Sequence, residues 1–458
     1  MIIKRLKDIQ MMTSGEGLEK QYENLLVKGV SIDSRTVKKG NLFIPIVRIK
    51  DGHNYVREAI KNGAIASLWD KSHSNPPEDI PLIFVDNTLL ALQSLASSYR
   101  KQLPIKVIGI TGSNGKTTTK DMVNSIVSTS YKVHKTKGNF NSQIGLPLTI
   151  LEVSKDDEVV VLEMGMSERG QIERLSKIAQ PDIAIITMIG LSHIAELGSR
   201  EEIANAKLEI ITGLKDNGLL IYNGDEPLLQ KVEISNSNRF IRFITFGEGK
   251  ENNLYPCSVN IDSEEIRLRI NHKDSPTYTI QLMGKHNVYN ALASIAVGKQ
   301  LGIRDDNIIK GLSELTTTEM RMQKIHSSKG FTIINDAWNA SPNSVQAAIE
   351  TFQELMNYNK KYLVLGDMLE LGENEVEYHR EIANYINPNK IDYLFTYGPL
   401  SEILSKEAMK YLGNQRVKSF TDKDKIVNKI LSLAKSNDIV LVKGSRGMAL
   451  EEIVNKLL

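Results

Sequence analysis

The sequence predicts an α/β protein of three domains, with a parallel sheet at the centre. Three observations carry this. The chain is 458 residues long, several times the length of an ordinary domain. Short β-branched runs alternate along it with helix-length amphipathic stretches. In its middle part those runs, IKVIGI, EVVVLEM and DIAIITMI, are almost continuously apolar, as strands covered on both faces are.

Taken in order, residues 1–103 carry strand-like VSID (30–33), IASLW (65–69) and LIFVD (82–86) between the helical patterns HNYVREAIKNGA and LLALQSLASSYRKQL. This is a small N-terminal α/β domain that stops before Pro104. Residues 104–319 open with IKVIGI and close beyond the helix NVYNALASIAVGKQLG, where Gly302 suits a helix stop. Residues 320–458 alternate FTIIN, KYLVLG, DYLFTYG and DIVLVKG with helices, a second doubly wound, Rossmann-like pattern. No internal repeat of fixed period is present.

Composition narrows the function classes. Apolar residues make up 41% and charged residues 24%, with a formal net charge of +2 and no run of like charges. That balance speaks against an electrostatic footprint for nucleic acid or an acidic membrane and favours small partners. Cys257 is the only cysteine, which excludes an intramolecular disulfide framework and a cysteine-based zinc site. Charges interrupt the opening MIIKRLKDIQMMTSGEGLEKQ where a signal peptide needs an apolar core. No stretch approaches the roughly 20 apolar residues that span a bilayer. A cytoplasmic protein is expected.

Chemistry concentrates first at GITGSNGKTTTKD, residues 109–121. Ile110 stands where the general phosphate-loop motif has glycine, yet the context of apolar strand, glycine-bearing turn and helix is the required one. Gly112 and Gly115 allow a tight turn whose N–H groups, with Ser113, Asn114 and Thr118 beside them, face an anion at the helix N-terminus. Lys116 is a point charge for the β- and γ-phosphates, and the Thr117 hydroxyl can ligate magnesium.

Ligands of open parallel sheets gather beyond the carboxyl ends of the strands. Glu163 ends EVVVLE, where a carboxylate can hold magnesium or simply be solvated. His193 follows DIAIITMI as a ligand or as a structural hydrogen-bonding group. Ser199 and Glu202 form a capping box, so a helix starts near Arg200 and carries Lys207 about two turns in. By residue type alone Lys207 is a solvated lysine.

The shortened loop T-G-x-N-G-K-T-T resembles that of the Mur ligases and of their relative folylpolyglutamate synthase. The likeness extends through EMGMSERGQIE, IGLSHIAELGSREEIANAK, MGKHNVYNALASIAV, INDAWNASPNS, LGDMLELG and VKGSRGMALEEIV, and so covers all three segments. It implies an ATP-dependent amide ligase with two magnesium ions and an acyl-phosphate intermediate. Thr117 and Glu163 would hold the first ion, and His193 and a carbamylated Lys207 the second. Lys116, Glu163, His193 and Lys207 would then be the catalytic set. The implied partners are a UDP-N-acetylmuramoyl-tripeptide and D-alanyl-D-alanine, because the D-N-P-[RK]-type signature of the branch adding the third residue is not found.

By the same resemblance Asn287 and Asn290 would contact adenine, although Asn287 also suits a helix cap. Arg321 would reach ATP from the linker, and Asp336 and Asn339 would adjoin the nucleotide, with Ser341 and Pro342 opening the next helix. Ser34 and Arg35 would face the uridine diphosphate, and Asn139 and Asn141 the muramoyl-peptide path. The three domains would take UDP-sugar, ATP and dipeptide respectively, closing about hinges near 104 and 320 in a monomer. Trp338, Ser341 and Ser142 depart from the family's usual tyrosine, asparagine and asparagine. A ligase for folate or another amino acid, and a nucleotide switch that makes no amide bond, are the alternatives. Whether the third peptide residue is lysine or diaminopimelate is not legible, nor is the strictness for D-alanyl-D-alanine.

Overall fold

A computed structural model of the chain describes residues 1–230, 232, 240–262 and 264–458. Its start is a two-stranded antiparallel ribbon, β1 (Ile3–Arg5) with β2 (Leu26–Lys28). Next come β3 (Val30–Ser31), β4 (Leu42–Phe43), β5 (Ala66–Asp70) and β6 (Leu82–Val85), a parallel sheet in sequential order. Helix Thr88–Arg100 covers it, with the Asn87 side chain capping the Leu90 N–H.

The central sheet holds β7 (Lys106–Thr111), β8 (Val133–Lys135), β9 (Val159–Glu163), β10 (Ile183–Ile186), β11 (Leu219–Asn223) and β12 (Arg242–Phe246). All are parallel, in the order β12-β11-β10-β7-β9-β8. Strand alternation feeds two separate cores. Val160 and Leu162 of β9 face one, with Ala184 and Ile186 of β10. Val159 and Val161 face the other, with Ile183 and Ile185. Burial on both faces is why these runs lack polar alternation.

A small antiparallel sheet, β13 (Pro256–Ile261), β14 (Ile266–Ile270) and β15 (Tyr278–Ile280), follows before helix His286–Gln300. The C-terminal sheet comprises β16 (Gln323–His326), β17 (Thr332–Asp336), β18 (Lys361–Gly366), β19 (Tyr393–Tyr397), β20 (Val417–Phe420) and β21 (Ile439–Lys443). Its order is β16-β17-β21-β18-β19-β20, parallel except for the edge strand β16. The α/β class, the parallel centre and the Rossmann-like end thus stand as expected. Among the described residues no helix is long and apolar enough to cross a membrane.

One expectation is corrected. A hinge near 104 would need a thin junction, but the first core runs unbroken from Ile2, Leu42 and Leu68 into Val107 and Val160. Buried Arg100 also donates to the Ala179 carbonyl (2.8 Å), and Tyr99 to that of Val153 (2.9 Å). Opening there would expose continuous apolar surface, so the first two sheets are packed as one body.

Candidate functional site

β7 lies between β9 and β10, although both follow it in the chain, so its carboxyl end is the sheet's switch point. The loop leaving β7 turns at Gly112 (φ +145°) and Gly115 (φ +82°) and enters helix Lys116–Val127. A Cβ at 112 would lie 1.9 Å from Thr187 Oγ1, and one at 115 would lie 2.5 Å from Asn290 Oδ1. Close approach, as well as backbone conformation, therefore demands glycine. The loop is laced to the end of β10: Thr187 Oγ1 donates to the Asn114 carbonyl (2.6 Å), and the Ser113 N–H to that of Met188 (2.9 Å).

Lys116 Nζ donates to the carbonyls of Gly112 (2.6 Å) and Ser113 (3.0 Å). Burial pushes its pKa down to about 8, with Glu163 opposing and Arg321 reinforcing the shift. Arg321 Nη2 comes 3.4 Å from Thr117 Oγ1, so the linker does reach the loop.

Glu163, at the end of β9, is 2% exposed. Its N–H donates to Thr136 Oγ1 (3.0 Å), and its Oε1 accepts from Asn141 Nδ2 (2.8 Å). Oε2 has no hydrogen-bond partner among the described residues, with Lys120 Nζ 4.0 Å away. A buried carboxylate oxygen left over, on a group that interacts with Lys116 of the phosphate loop, is donor chemistry that suits magnesium, so the residues present fit that ion.

His193 and Lys207 depart from ordinary surroundings. His193 adopts a left-handed conformation (φ +65°) ahead of the short helix Ile194–Leu197. Its Nδ1 lies 2.9 Å from Oε2 of Glu370, also left-handed (φ +64°), across the domain boundary. Each such residue costs about 1–2 kcal/mol, which surrounding structure must offset. Lys207 sits on helix Arg200–Leu208, capped by Ser199 Oγ accepting from the Glu202 N–H (3.1 Å). At 1% exposure it is not the solvated lysine that residue type suggests. Burial, then the nearby Lys116, holds its pKa well below the usual lysine range, and Glu209 opposes that shift.

A cavity of about 360 Å³ extends from the loop between the central and C-terminal sheets. Asn114, Gly115, Thr118, Asn287, Asn290, Arg321 and Asp336 all line it. Asn290 accepts from Thr119 Oγ1 (3.2 Å) and donates to Asn287 Oδ1 (2.8 Å). Asn287 in turn donates to the Met283 carbonyl (2.7 Å), so its side chain is not the helix cap considered above. Asp336 is paired with Lys443 Nζ at 2.6 Å.

Asn339 is elsewhere, in a small cleft of about 80 Å³ with Ser192, His193, Glu370, Ser445 and Arg446. Ser341 caps helix Pro342–Glu354 as expected and sends its hydroxyl to Asn114 Oδ1 (3.3 Å), joining the two domains. The Trp338 ring faces two guanidinium groups, Arg321 at 5.8 Å and Arg446 at 5.3 Å.

A third cleft, about 880 Å³, opens between the N-terminal and central sheets. Asn139, Asn141 and Ser142 line it from one side, and Asp33, Thr36, Lys38 and Arg48 from the other. Ser34 and Arg35 do not line it. The Ser34 hydroxyl is buried on Glu58 (2.9 Å), and the exposed Arg35 guanidinium is spent on Asp33 (2.7 Å). Sequence reasoning missed Lys443, Glu370 and Lys38; only Lys443, closing the apolar run DIVLVK, carried the strand-end signal used for Glu163.

A phosphate loop at the switch point of one parallel sheet, facing a second, mostly parallel sheet across a shared cavity, defines a phosphate-loop protein of the multidomain kind. Residues 110–298 match the Mur ligase middle domain, and residues 320–446 the glutamate ligase domain of Mur ligases. The UDP-N-acetylmuramoyl-tripeptide–D-alanyl-D-alanine ligase of Bacillus subtilis is 47% identical over 459 residues, covering 100% of this chain and 99% of that one. Among solved structures, MurF from Acinetobacter baumannii superposes with a TM-score of 0.87 at 26% identity, covering 100% and 99% of the two chains. MurF from Thermotoga maritima, in complex with ADP, gives 0.81 at 29% identity, covering 94% and 97%. The chain belongs to the Mur ligase family.

Proposed function

We propose that this chain is an ATP-dependent amide ligase that adds D-alanyl-D-alanine to UDP-N-acetylmuramoyl-tripeptide, the last cytoplasmic peptide addition in peptidoglycan precursor synthesis. The observation that carries the reading is full-length likeness, first hundred residues included, to a ligase whose name states that reaction. A folate ligase is disfavoured by the same full-length match, because the N-terminal module falls within it.

A carboxylate does not accept an amine at neutral pH, because oxide cannot leave. The tripeptide's terminal carboxylate therefore attacks the γ-phosphorus of ATP, giving ADP and an acyl phosphate. The dipeptide amine then adds to that carbonyl, and the tetrahedral intermediate expels phosphate. Lys116 would neutralise the charge that develops on the transferring group, with Arg321 supporting it from the linker side. Asn287, Asn290 and Asp336 line the cavity read as the nucleotide site, while Asn339 lies in the smaller cleft with His193 and Glu370.

Thr117 and Glu163 would hold one magnesium ion, and His193 with a carbamate on Lys207 the second. Magnesium, when bound, supplies positive charge against the phosphate oxygens. Burial, which lowers the Lys207 pKa, favours the unprotonated amine that attacks carbon dioxide to give a carbamate and a proton, so a basic side chain becomes an oxygen donor. In the cleft between the N-terminal and central sheets, Lys38, Arg48 and Lys137 would give the positive charge that a UDP group needs, with Asn139 and Asn141 along the peptide path. Domains 1–103, 104–319 and 320–458 would divide UDP-sugar, ATP and dipeptide between them, in a cytoplasmic monomer.

Offering the protein ATP and magnesium with either UDP-muramoyl-tripeptide plus D-alanyl-D-alanine or a folate plus glutamate tests the assignment. A product heavier than the tripeptide by one dehydrated dipeptide supports it. Product only with folate, or ATP hydrolysis indifferent to both acceptors, overturns it.

A further inference from the structure

No step above uses the buried carboxylate of Asp121, which lies on helix Lys116–Val127 one turn beyond Thr117. Its two oxygens serve different parts of the chain. Oδ1 takes Lys135 Nζ at 2.8 Å and Lys120 Nζ at 3.6 Å, both within the central domain. Oδ2 accepts the N–H (2.8 Å) and the hydroxyl (2.7 Å) of Thr318, which belongs to the linker toward the C-terminal sheet.

Three residues later in that linker, Arg321 reaches Thr117 Oγ1 and lies under Trp338. Thr117 and Asp121, four apart, share one face of the helix. The linker is therefore fastened at two points along one turn of the phosphate-loop helix. Arg321 itself is flanked by Met320 (φ +59°) and Met322 (φ +47°), both in the left-handed region that disfavours residues with a side chain. Their N–H groups are held by Gln323 Oε1 (3.1 Å) and Asp336 Oδ1 (3.1 Å). Two such residues around a fixed arginine mark where the chain changes direction, and Thr318 is the last point tied to the central domain before it.

We propose that Asp121 is a positioning residue that clamps the linker at Thr318, so that the bend Met320–Met322 presents Arg321 to the phosphate end of the nucleotide cavity. The C-terminal domain then pivots beyond the clamp, and Arg321 stays with the loop. This rests on the nucleotide reading of that cavity.

The test is a double-mutant cycle read by ADP affinity in calorimetry, with Thr318→Val, Arg321→Ala and the pair. Thr318→Val removes only the hydroxyl donor to a charged acceptor, and Thr318→Ser restores it. Thr318→Val is expected to weaken ADP binding roughly tenfold, the order a charge-assisted hydrogen bond carries, and Thr318→Ser to recover it. In the Arg321→Ala background Thr318→Val is expected to add nothing, because it acts through Arg321. Additive losses, or Thr318→Val binding as the parent does, would overturn the clamp. A parent protein that binds no ADP would overturn the nucleotide reading instead, and the clamp with it.

Discussion

The Asn141 amide donates at 2.8 Å to one oxygen of Glu163, while the other oxygen has no hydrogen-bond partner among the described residues. Asn141 thus orients the carboxylate, and on the proposed reading Oε2 would face the magnesium ion. Partners behind a metal ligand commonly carry about 10- to 100-fold in metal affinity or activity. Asn141→Ala should raise the magnesium concentration for half-maximal phosphate release by that order, and Glu163→Ala should remove activity, each with its unfolding temperature close to the parent's. A magnesium titration of both variants checks this.

Lys116 sets a pH dependence. Its folded pKa of about 8 lies below the ordinary value of 10.5, so the folded protein holds fewer protons than the unfolded chain between the two. Stability should therefore rise with pH across that window, as the buried ammonium is relieved of its charge. Nucleotide phosphates favour the charged form, so ADP affinity should fall as pH rises through about 8, and binding there should take up a proton. Calorimetry in buffers of different ionisation enthalpy measures that proton directly.

Lys207 should react with carbon dioxide. With labelled bicarbonate at pH 8, a carbamate carbon resonance is expected in the parent protein and not in Lys207→Met. Acidification should erase it, since protonating the amine removes the nucleophile. Activity of the parent should fall when dissolved carbon dioxide is stripped and return when it is restored.

The close contact of His193 Nδ1 with Glu370 Oε2, at 2.9 Å, crosses between domains. Glu370→Gln keeps the size and removes the charge. Turnover should drop several-fold with ADP affinity unchanged, since Glu370 lies outside the nucleotide cavity. Parallel rate and ADP-binding measurements separate those outcomes.

Much of this was legible in the sequence because the signals are local. A phosphate loop is a short strand–turn–helix code, and Glu163 and His193 stand where apolar strands end. The antiparallel sheet β13–β15 was not legible, because PCSVNI is largely exposed rather than a buried run. Burial of Lys207 was hidden for another reason: helix Arg200–Leu208 is only weakly amphipathic in sequence, and the phosphate-loop Lys116 is among the groups that come near it in the fold. The partners of Ser34 and Arg35 were not legible either, because a local turn directs Ser34 onto Glu58 and Arg35 onto Asp33, which no spacing rule reveals. The missing hinge at 104 reflects a core shared between domains, which is a tertiary property.

The most direct measurement is oxygen transfer. UDP-muramoyl-tripeptide labelled with oxygen-18 in its terminal carboxylate would be turned over with ATP and D-alanyl-D-alanine, and the released phosphate weighed. An acyl phosphate carries one carboxylate oxygen away on phosphorus, so each phosphate should gain one label in step with amide product. Phosphate bearing oxygen only from ATP and solvent would contradict an amide ligase acting through that intermediate.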